Sequence, residues 1–303
     1  MNIQCPICHT GNGKLVFNVN NELGNYQVER CIQCGHHYTR IDSDIDTDSL
    51  YNDEVYHVID NRDSVYSKII NHEYKHVLKQ ILKTKPTGSR LLDFGSGKGI
   101  FLNLAQEFGF NVLGIETAPE RAAFAKEKYH VNVIQSFYKD GKIEDQPFDV
   151  ITMFHVLEHL PEPKELLVNL IQHNLHKDGI IIIEVPNLSS LQATIGGNQW
   201  MHLDIPRHLS HFTNSGLLQF VKGIGLEVYK KEYFSYHLGI LGMCQSILSL
   251  FGYKKKIIKE LKHNNKGLLF ILLFVLPFAF VLEVIASVFH KGGIVRFYCK
   301  KSG

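Results

Sequence analysis

Three groups of residues in this 303-residue chain have the types and spacing to do chemistry. The first is Asp93-Phe94-Gly95-Ser96-Gly97-Lys98-Gly99, an acid followed by three alternate glycines. Glycines so spaced let the backbone turn sharply and leave bare N–H groups at a helix start, where a ligand can lie. The second is Cys5-Pro6-Ile7-Cys8 and Cys31-Ile32-Gln33-Cys34, two C-x2-C pairs separated by 22 residues. Four thiolates presented this way match tetrahedral zinc, and with all four positions filled by cysteine the site is structural, with no open position for catalysis. The third is rich in histidine: His155 and His159, then Trp200–Thr213 with His202, His208 and His211. Imidazole is the natural general base for a hydroxyl acceptor near neutral pH. His9, His36 and His37, beside the cysteines, read as bystanders.

These groups need a frame. From Arg90 apolar strand runs alternate with helical patterns. Strands are expected at Arg90–Phe94, Asn111–Ile115, Val131–Gln135, Phe148–Met153 and Gly179–Val185, and helices at Ile100–Phe108 and Pro119–Tyr129. This alternation predicts an α/β fold with a doubly wound, mostly parallel sheet. Such sheets bind ligands where strands end, which puts Asp93 and Glu116 at a ligand mouth. Glu116, 17 residues beyond Gly99, can accept both hydroxyls of a ribose. A dinucleotide fingerprint needs its third glycine where Ile100 stands, and an acid before the first glycine repels a pyrophosphate but can hold an ammonium. A Walker loop fails because no Ser or Thr follows Lys98 in the needed frame.

Asp93-x-Gly95-x-Gly97-x-Gly99, Glu116, Phe148-Asp149-Val150-Ile151 and the Lys177-Asp178-Gly179 turn together resemble class I S-adenosylmethionine-dependent methyltransferases. Phe154-His155-Val156-Leu157-Glu158-His159-Leu160 is similar to the small-molecule branch of that superfamily, and the resemblance covers Ser89 to Phe234. It implies a Rossmann-like seven-stranded sheet with an antiparallel last strand, Ile294–Lys300, beside a sixth at Gly225–Phe234. It also implies S-adenosylmethionine as cofactor. Asp93, Gly95 and Gly97 would line the methionine portion, Glu116 the ribose, and Ser136 and Phe137 the adenine, with Ser96, Gly99 and Phe154 completing the set. Ser136 departs from the acid usual near that position. His155, His208 and His211 are the candidate catalytic residues on the acceptor side, and the Pro-x-His-Leu-x-His-Phe segment resembles one that borders the substrate pocket in a subset of these enzymes. Thr213-Asn214-Ser215 also has the form of a helix N-cap, which would make His211 a support for that turn. No Asn/Asp-Pro-Pro-aromatic segment follows the fourth strand, which argues against methylation of a flipped adenine.

The flanks divide the chain further. Residues 1–40 read as a zinc-ribbon-like module with strands at Lys14–Phe17 and Tyr26–Arg30, too small to bury much core without its metal. Residues 41–88 form an acidic linker and a capping helix over Ser64–Lys83, with Ile69, Ile70, Tyr74, Val77, Leu78 and Leu82 on one side. The linker reads first as a solvated connector, with Tyr51, Tyr56 and His57 folding over a ligand mouth as the alternative. The methyltransferase domain takes residues 89–236 and 291–303, interrupted by an apolar and basic insertion at 237–290. In it His237–Tyr253 is largely apolar, Lys254 to Lys266 carries six lysines, and Gly267–Phe289 is long and apolar enough to cross a bilayer. Both flanking strands belong to one sheet, so a single crossing is excluded, and a two-pass hairpin would export the lysines against the positive-inside tendency. A helical pair lying in the membrane interface, with lysines on anionic headgroups, satisfies both constraints. A soluble lid or a dimerisation face that makes a homo-oligomer is the alternative.

Lys and Arg number 32 against 30 acids, a net charge of +2 that gives no argument for nucleic acid. Met1–Gln4 lead directly into the cysteine pair without a signal peptide, and six cysteines suit a reducing compartment. The expectation is a cytoplasmic methyltransferase, peripheral to the inner face of the membrane. It would act on a hydroxyl or carbon of a small molecule, with a sugar or lipid-linked glycan precursor as the first guess by analogy. Its rivals are an RNA methyltransferase gripping RNA through the ribbon and a non-catalytic scaffold that keeps the fold.

Overall fold

The computed structural model describes residues 4–21, 23–41, 60, 62, 64–262 and 265–302. Tyr51, Tyr56 and His57 lie outside the described residues. The amino-terminal strands are β1 (Gly13–Asn21), β2 (Gly24–Cys31) and β3 (His37–Arg40). After helix α1 (Val65–Ile81), strands β4 (Arg90–Phe94), β5 (Asn111–Glu116), β6 (Val133–Gln135), β7 (Phe148–Phe154) and β8 (Leu175–Pro186) follow. They are joined by α2 (Ile100–Glu107), α3 (Pro119–Tyr129) and α4 (Pro163–Asn174). Beyond β8 come α5 (Leu191–Gly196), β9 (Ser210–His211), α6 (Asn214–Gly223) and β10 (Leu226–Glu232). The insertion then supplies α7 (Leu238–Leu250), α8 (Ile257–Lys262) and α9 (Lys266–Val288) before β11 (Ile294–Lys301).

The main sheet has the order β10-β11-β8-β7-β4-β5-β6. β11 runs antiparallel to both its neighbours, and the pairs from β8 to β6 are parallel. Alternation along the central strands explains the double winding. Leu92, Ile151, Ile181 and Ile183 enter one core with Phe297, whereas Leu91, Val150, Ile180 and Ile182 enter the other with Tyr298. Side chains two apart share a face, so an unbroken apolar run must be covered on both sides.

Several boundaries differ from expectation for local reasons. β8 begins at Leu175, which pairs with Phe148 across an irregular register, so Lys177-Asp178-Gly179 lies within the strand and makes no turn. β6 is shortened because His130 closes α3 in a left-handed conformation (φ 55°). Ser64 caps α1 by accepting from the Ser67 N–H at 3.0 Å. The buried stripe of α1 is Ile70, Glu73, Val77, Leu78 and Ile81, while Ile69, expected on it, is exposed.

The ribbon is the larger surprise. Its sheet has four strands in the order β1-β2-β3-β9, and β9 comes from the histidine-rich loop after β8. His37 pairs with His211 and Tyr38 with Ser210. A boundary at residue 40 therefore cuts through a sheet that the two parts of the chain build together.

Candidate functional site

The carboxyl ends of β4, β5 and β7 converge on the glycine loop. Gly95 and Gly97 take left-handed backbone (φ 78° and 54°), which glycine adopts without strain. A Cβ on Gly97 would meet nothing within 4 Å, so the loop presents bare backbone to open space there. The Glu116 carboxylate lies across the loop. It accepts from the Gly97 N–H at 2.7 Å and from the Ala118 N–H at 2.9 Å, the latter tying it to the start of α3. Asp93 is buried at the end of β4 and accepts from the Thr152 hydroxyl at 2.6 Å. Burial pushes its carboxyl up to about 7, the Thr152 bond opposing and the Glu116 charge adding to the effect. An acid so placed has reason to welcome a cation, and an open glycine cradle flanked by two carboxylates fits S-adenosylmethionine.

The other expected cofactor residues divide. Ser96 is buried, its Oγ tucked near Gly114 without a hydrogen-bond partner among the described residues. Ser136 joins the group through its backbone, donating to Glu116 O at 3.1 Å, and the Phe137 side chain is exposed beside it. Gly99 caps α2 and packs on Ala125. Phe154 stacks against Tyr74 of α1 and Phe101 of α2, with ring centroids 5.4 and 4.9 Å away. It thereby joins the capping helix to the cofactor end of the sheet.

Beyond β7 the chain bends at His155, a non-glycine residue held at φ 56°. Such a conformation costs energy and persists where surroundings over-determine it. Here they do. His155 Nε2 lies 2.8 Å from Glu184 Oε1 and its Nδ1 3.3 Å from Glu158 Oε1. Burial alone would lower its pKa, but the two carboxylates raise it to about 10. His155 is therefore an imidazolium at neutral pH and has no lone pair with which to take a proton, contrary to the expectation of a base. Glu158 is buried, and burial would raise its pKa, but the His155 charge brings it to about 2. Neither Glu158 oxygen has a hydrogen bond of good geometry among the described residues.

Around Glu158 stand two further imidazoles. His208 directs Nδ1 to His202 O at 2.8 Å, and its Nε2 is 4.0 Å from Glu158 Oε1. A carbonyl accepts only, so Nδ1 carries a proton, and in the neutral ring Nε2 would be the nitrogen with the lone pair. His159 likewise directs Nδ1 to Arg207 O at 3.0 Å, and its ring stacks edge-on to that of His208 at 4.6 Å. Burial and the neighbouring His208 lower the His159 pKa to about 4, so it is neutral. The ligand atoms of Glu158, His159 and His208 lie within 4.8 Å of one another, a spacing that could hold a cation. His211 is not brought into this group. It is buried in the ribbon seam, its Nε2 2.8 Å from Thr39 Oγ1, and burial holds its pKa well below the usual imidazole value. The loop itself is braced by Asp204, whose carboxylate takes both a 2.8 Å bond from Arg207 Nε and a second from Arg207 Nη2.

Behind His155 runs a buried charge network that sequence reasoning missed. Glu184 also pairs with Arg296 of β11, which reaches Glu73 of α1 at 2.7 Å and Glu232 of β10 at 2.9 Å. Glu73 in turn meets His237, at the root of the insertion, at 2.8 Å. The signal was present in the sequence: Glu184 and Arg296 each interrupt an apolar run and Glu73 falls at helical spacing between Ile70 and Val77, and isolated charges are rarely buried unless paired.

In the ribbon, Cys5 Sγ lies 3.6 Å from Cys34 Sγ and Cys8 Sγ 3.5 Å from Cys31 Sγ, with no disulfide among them. A tetrahedral zinc with Zn–S bonds of about 2.3 Å separates its sulfurs by about 3.8 Å, so the four thiols fit the ion with little movement.

Sheet order, glycine cradle and the acid at the end of β5 define a class, and comparison agrees. Residues 66–231, more than half of the chain, match the family described as a methyltransferase domain, and the chain belongs to this family of S-adenosylmethionine-dependent methyltransferases. The chain is similar to the ubiquinone biosynthesis O-methyltransferase of Glaesserella parasuis serovar 5 (strain SH0165), at 28% identity over 170 residues, 51% of this chain and 71% of that protein. The protein of the same name from Xylella fastidiosa (strain 9a5c) is 30% identical over 139 residues, 43% of this chain and 56% of its own length. The chain spans a little over half the length of most of the curated relatives it matches. The plantazolicin methyltransferase BpumL, solved with a pentazolic desmethylPZN analog and SAH, shares 17% identity. That alignment covers 85% of this chain and 95% of the other at a TM-score of 0.51, a likeness of fold.

Proposed function

We propose that the protein methylates a hydroxyl of a small molecule, with His208 as general base. The observation that supports this reading is the His208 ring, whose Nδ1 is fixed on His202 O and whose Nε2 lies 4.0 Å from the buried Glu158 carboxylate. Bound S-adenosylmethionine supplies a methyl group on a sulfonium. Asp93 and the Gly95, Ser96, Gly97 and Gly99 backbone would hold its methionine portion, Glu116 the ribose hydroxyls, and Ser136, Phe137 and Phe154 the adenine side. His208 Nε2 takes the proton of the acceptor hydroxyl, and Glu158 compensates the imidazolium that results. His155 is assigned a positioning role: its charge orients Glu158 and Glu184. The printed name of the curated relatives favours oxygen over carbon as the methylated atom. It offers nothing for a sugar, so the acceptor is proposed as a hydroxyl-bearing small molecule, and the glycan or lipid-linked form is left to product analysis. We read Cys5, Cys8, Cys31 and Cys34 as a structural zinc site, and the insertion as a peripheral contact with the inner face of a membrane from the cytoplasm.

The test is transfer of a labelled methyl group from S-adenosylmethionine into a cell extract. The expected product is a small-molecule methyl ether whose yield is indifferent to ribonuclease. His208→Asn should lower kcat by about 10²-fold or more while leaving cofactor affinity unchanged. Ribonuclease-sensitive label, or full activity in His208→Asn, would overturn the proposal.

A further inference from the structure

α9 is the outermost layer of the insertion. Leu268, Leu272, Ala279, Glu283 and Ala286 form its buried stripe, against α7 and the body behind it. The rest of the helix is uncovered: Phe270, Leu273, Phe274, Phe278, Val288 and Phe289 are each 63–71% exposed. No charged residue occurs from Gly267 to Leu282. Exposure at consecutive positions such as Leu269, Phe270 and Ile271 turns through the helix circumference, since successive residues lie about 100° apart. A second copy would cover one side of such a helix. A fluid apolar phase covers all of it.

The hairpin is tied down at both ends. At the tip, Lys256 Nζ lies 3.1 Å from Asp204 Oδ1, and the Gln245 amide bonds Lys255 O at 2.9 Å and the Ile257 N–H at 2.8 Å. At the root, the Ser287 hydroxyl donates to Tyr233 O at 3.0 Å and the Gly293 N–H to Glu283 Oε1 at 2.7 Å. Held against the body in this way, α9 is placed to lie along a bilayer surface. Basic residues mark both ends of the helix: the lysines of 254–266 at one, His290 and Lys291 at the other. A surface hollow of about 430 Å³ opens at the tip between Gly252 and Ile271. Lys254 and Lys255 line it together with Glu260 and Asn265, and Lys255 pairs with Glu260 at 3.3 Å. Tyr253 Oη, in the same wall, is buried without a hydrogen-bond partner among the described residues.

Resting on the membrane reading above, we propose that α9 lies in the plane of an anionic bilayer. Its exposed apolar face sits at the acyl boundary, and the tip hollow receives a phospholipid phosphate on Lys254 and Lys255. Asp204, which holds Lys256, also braces the loop that carries His208, so the docking face and the acceptor side share one loop.

Vesicle flotation of the full chain tests this. The protein should float with phosphatidylcholine vesicles and at least tenfold more tightly when phosphatidylglycerol is added, the increment falling with salt. Lys254→Ala with Lys255→Ala should weaken binding to the mixed vesicles by about 25-fold. Phe274→Asp with Phe278→Asp should abolish flotation on both, while calorimetry shows cofactor binding unchanged. Failure to float on either vesicle would overturn the proposal. So would a dimer in sedimentation that the aspartate variant converts to monomer, since a second copy would then be the occupant. Cofactor affinity is read separately, so either failure leaves the methyltransferase reading intact.

Discussion

Thr39→Val should loosen the acceptor loop without changing a residue in it. The Thr39 hydroxyl donates to His208 O at 2.7 Å and accepts from His211 Nε2–H at 2.8 Å. One hydroxyl hydrogen serves one donation, so the second bond requires the proton on His211, consistent with a neutral imidazole whose pKa burial depresses. Valine keeps the shape and the strand preference but satisfies neither partner, leaving a buried carbonyl and a buried N–H alone. Each orphan costs about 1–3 kcal/mol, so the pair should cost about 2–6 kcal/mol of local stability. That corresponds to an opening of the loop roughly 30- to 20,000-fold more frequent at 1.4 kcal/mol per tenfold. Hydrogen–deuterium exchange read on peptides spanning 205–213 measures it, with the β4 and β5 peptides as internal control and Thr39→Ser as rescue. Unchanged exchange in 205–213 for a folded valine variant would refute the claim that the ribbon holds the loop. A uniform rise across β4 and β5 would also refute it, because the hydroxyl would then serve general stability alone.

Glu116→Ala should weaken cofactor binding by roughly 150- to 20,000-fold in calorimetry, the cost of about two hydrogen bonds to a charged acceptor, and unaltered affinity would dissociate Glu116 from the ribose. Arg296→Met should destabilise by about 3–5 kcal/mol in urea unfolding, because Glu73, Glu184 and Glu232 lose a buried partner. With the His155 pKa raised to about 10, its stabilising pairing is complete below about pH 6.5 and is lost as pH rises towards 10; His155→Gln should remove that alkaline decline from a stability–pH profile. Zinc analysis should give one ion per chain, and Cys8→Ser should abolish it and raise exchange in both the ribbon and β9.

The parts legible in the sequence are those in which a few adjacent residues fix both backbone and chemistry. Asp93 to Gly99 announced a strand, a turn and a ligand, and the two cysteine pairs announced four converging thiols. β9 was not legible: Ser210-His211 has no strand periodicity and becomes a strand only because β3 offers an edge. The charge on His155 was hidden for a related reason. It depends on Glu184, 29 residues away, as much as on nearby Glu158, and local spacing suggested a base where the folded chain makes a cation. The stripe Ile70, Glu73, Val77, Ile81 did carry a warning, since an acid on the apolar side of a helix must find a partner.

The three loop glycines fail in two different ways, which gives the site a signature readable from mutational tolerance alone. A Cβ on Gly95 would lie 2.4 Å from Val156 Cγ2, and one on Gly99 2.7 Å from Ala125 Cβ, so substitution there strikes the protein itself. A Cβ on Gly97 strikes nothing, and alanine pays there only the left-handed backbone cost of about 1–2 kcal/mol. A scan scored once for folded abundance and once for methyl transfer should therefore depress positions 95 and 99 in both scores. Position 97 should fall far more in transfer than in abundance, separating the glycine that faces the cofactor from the two that face the fold.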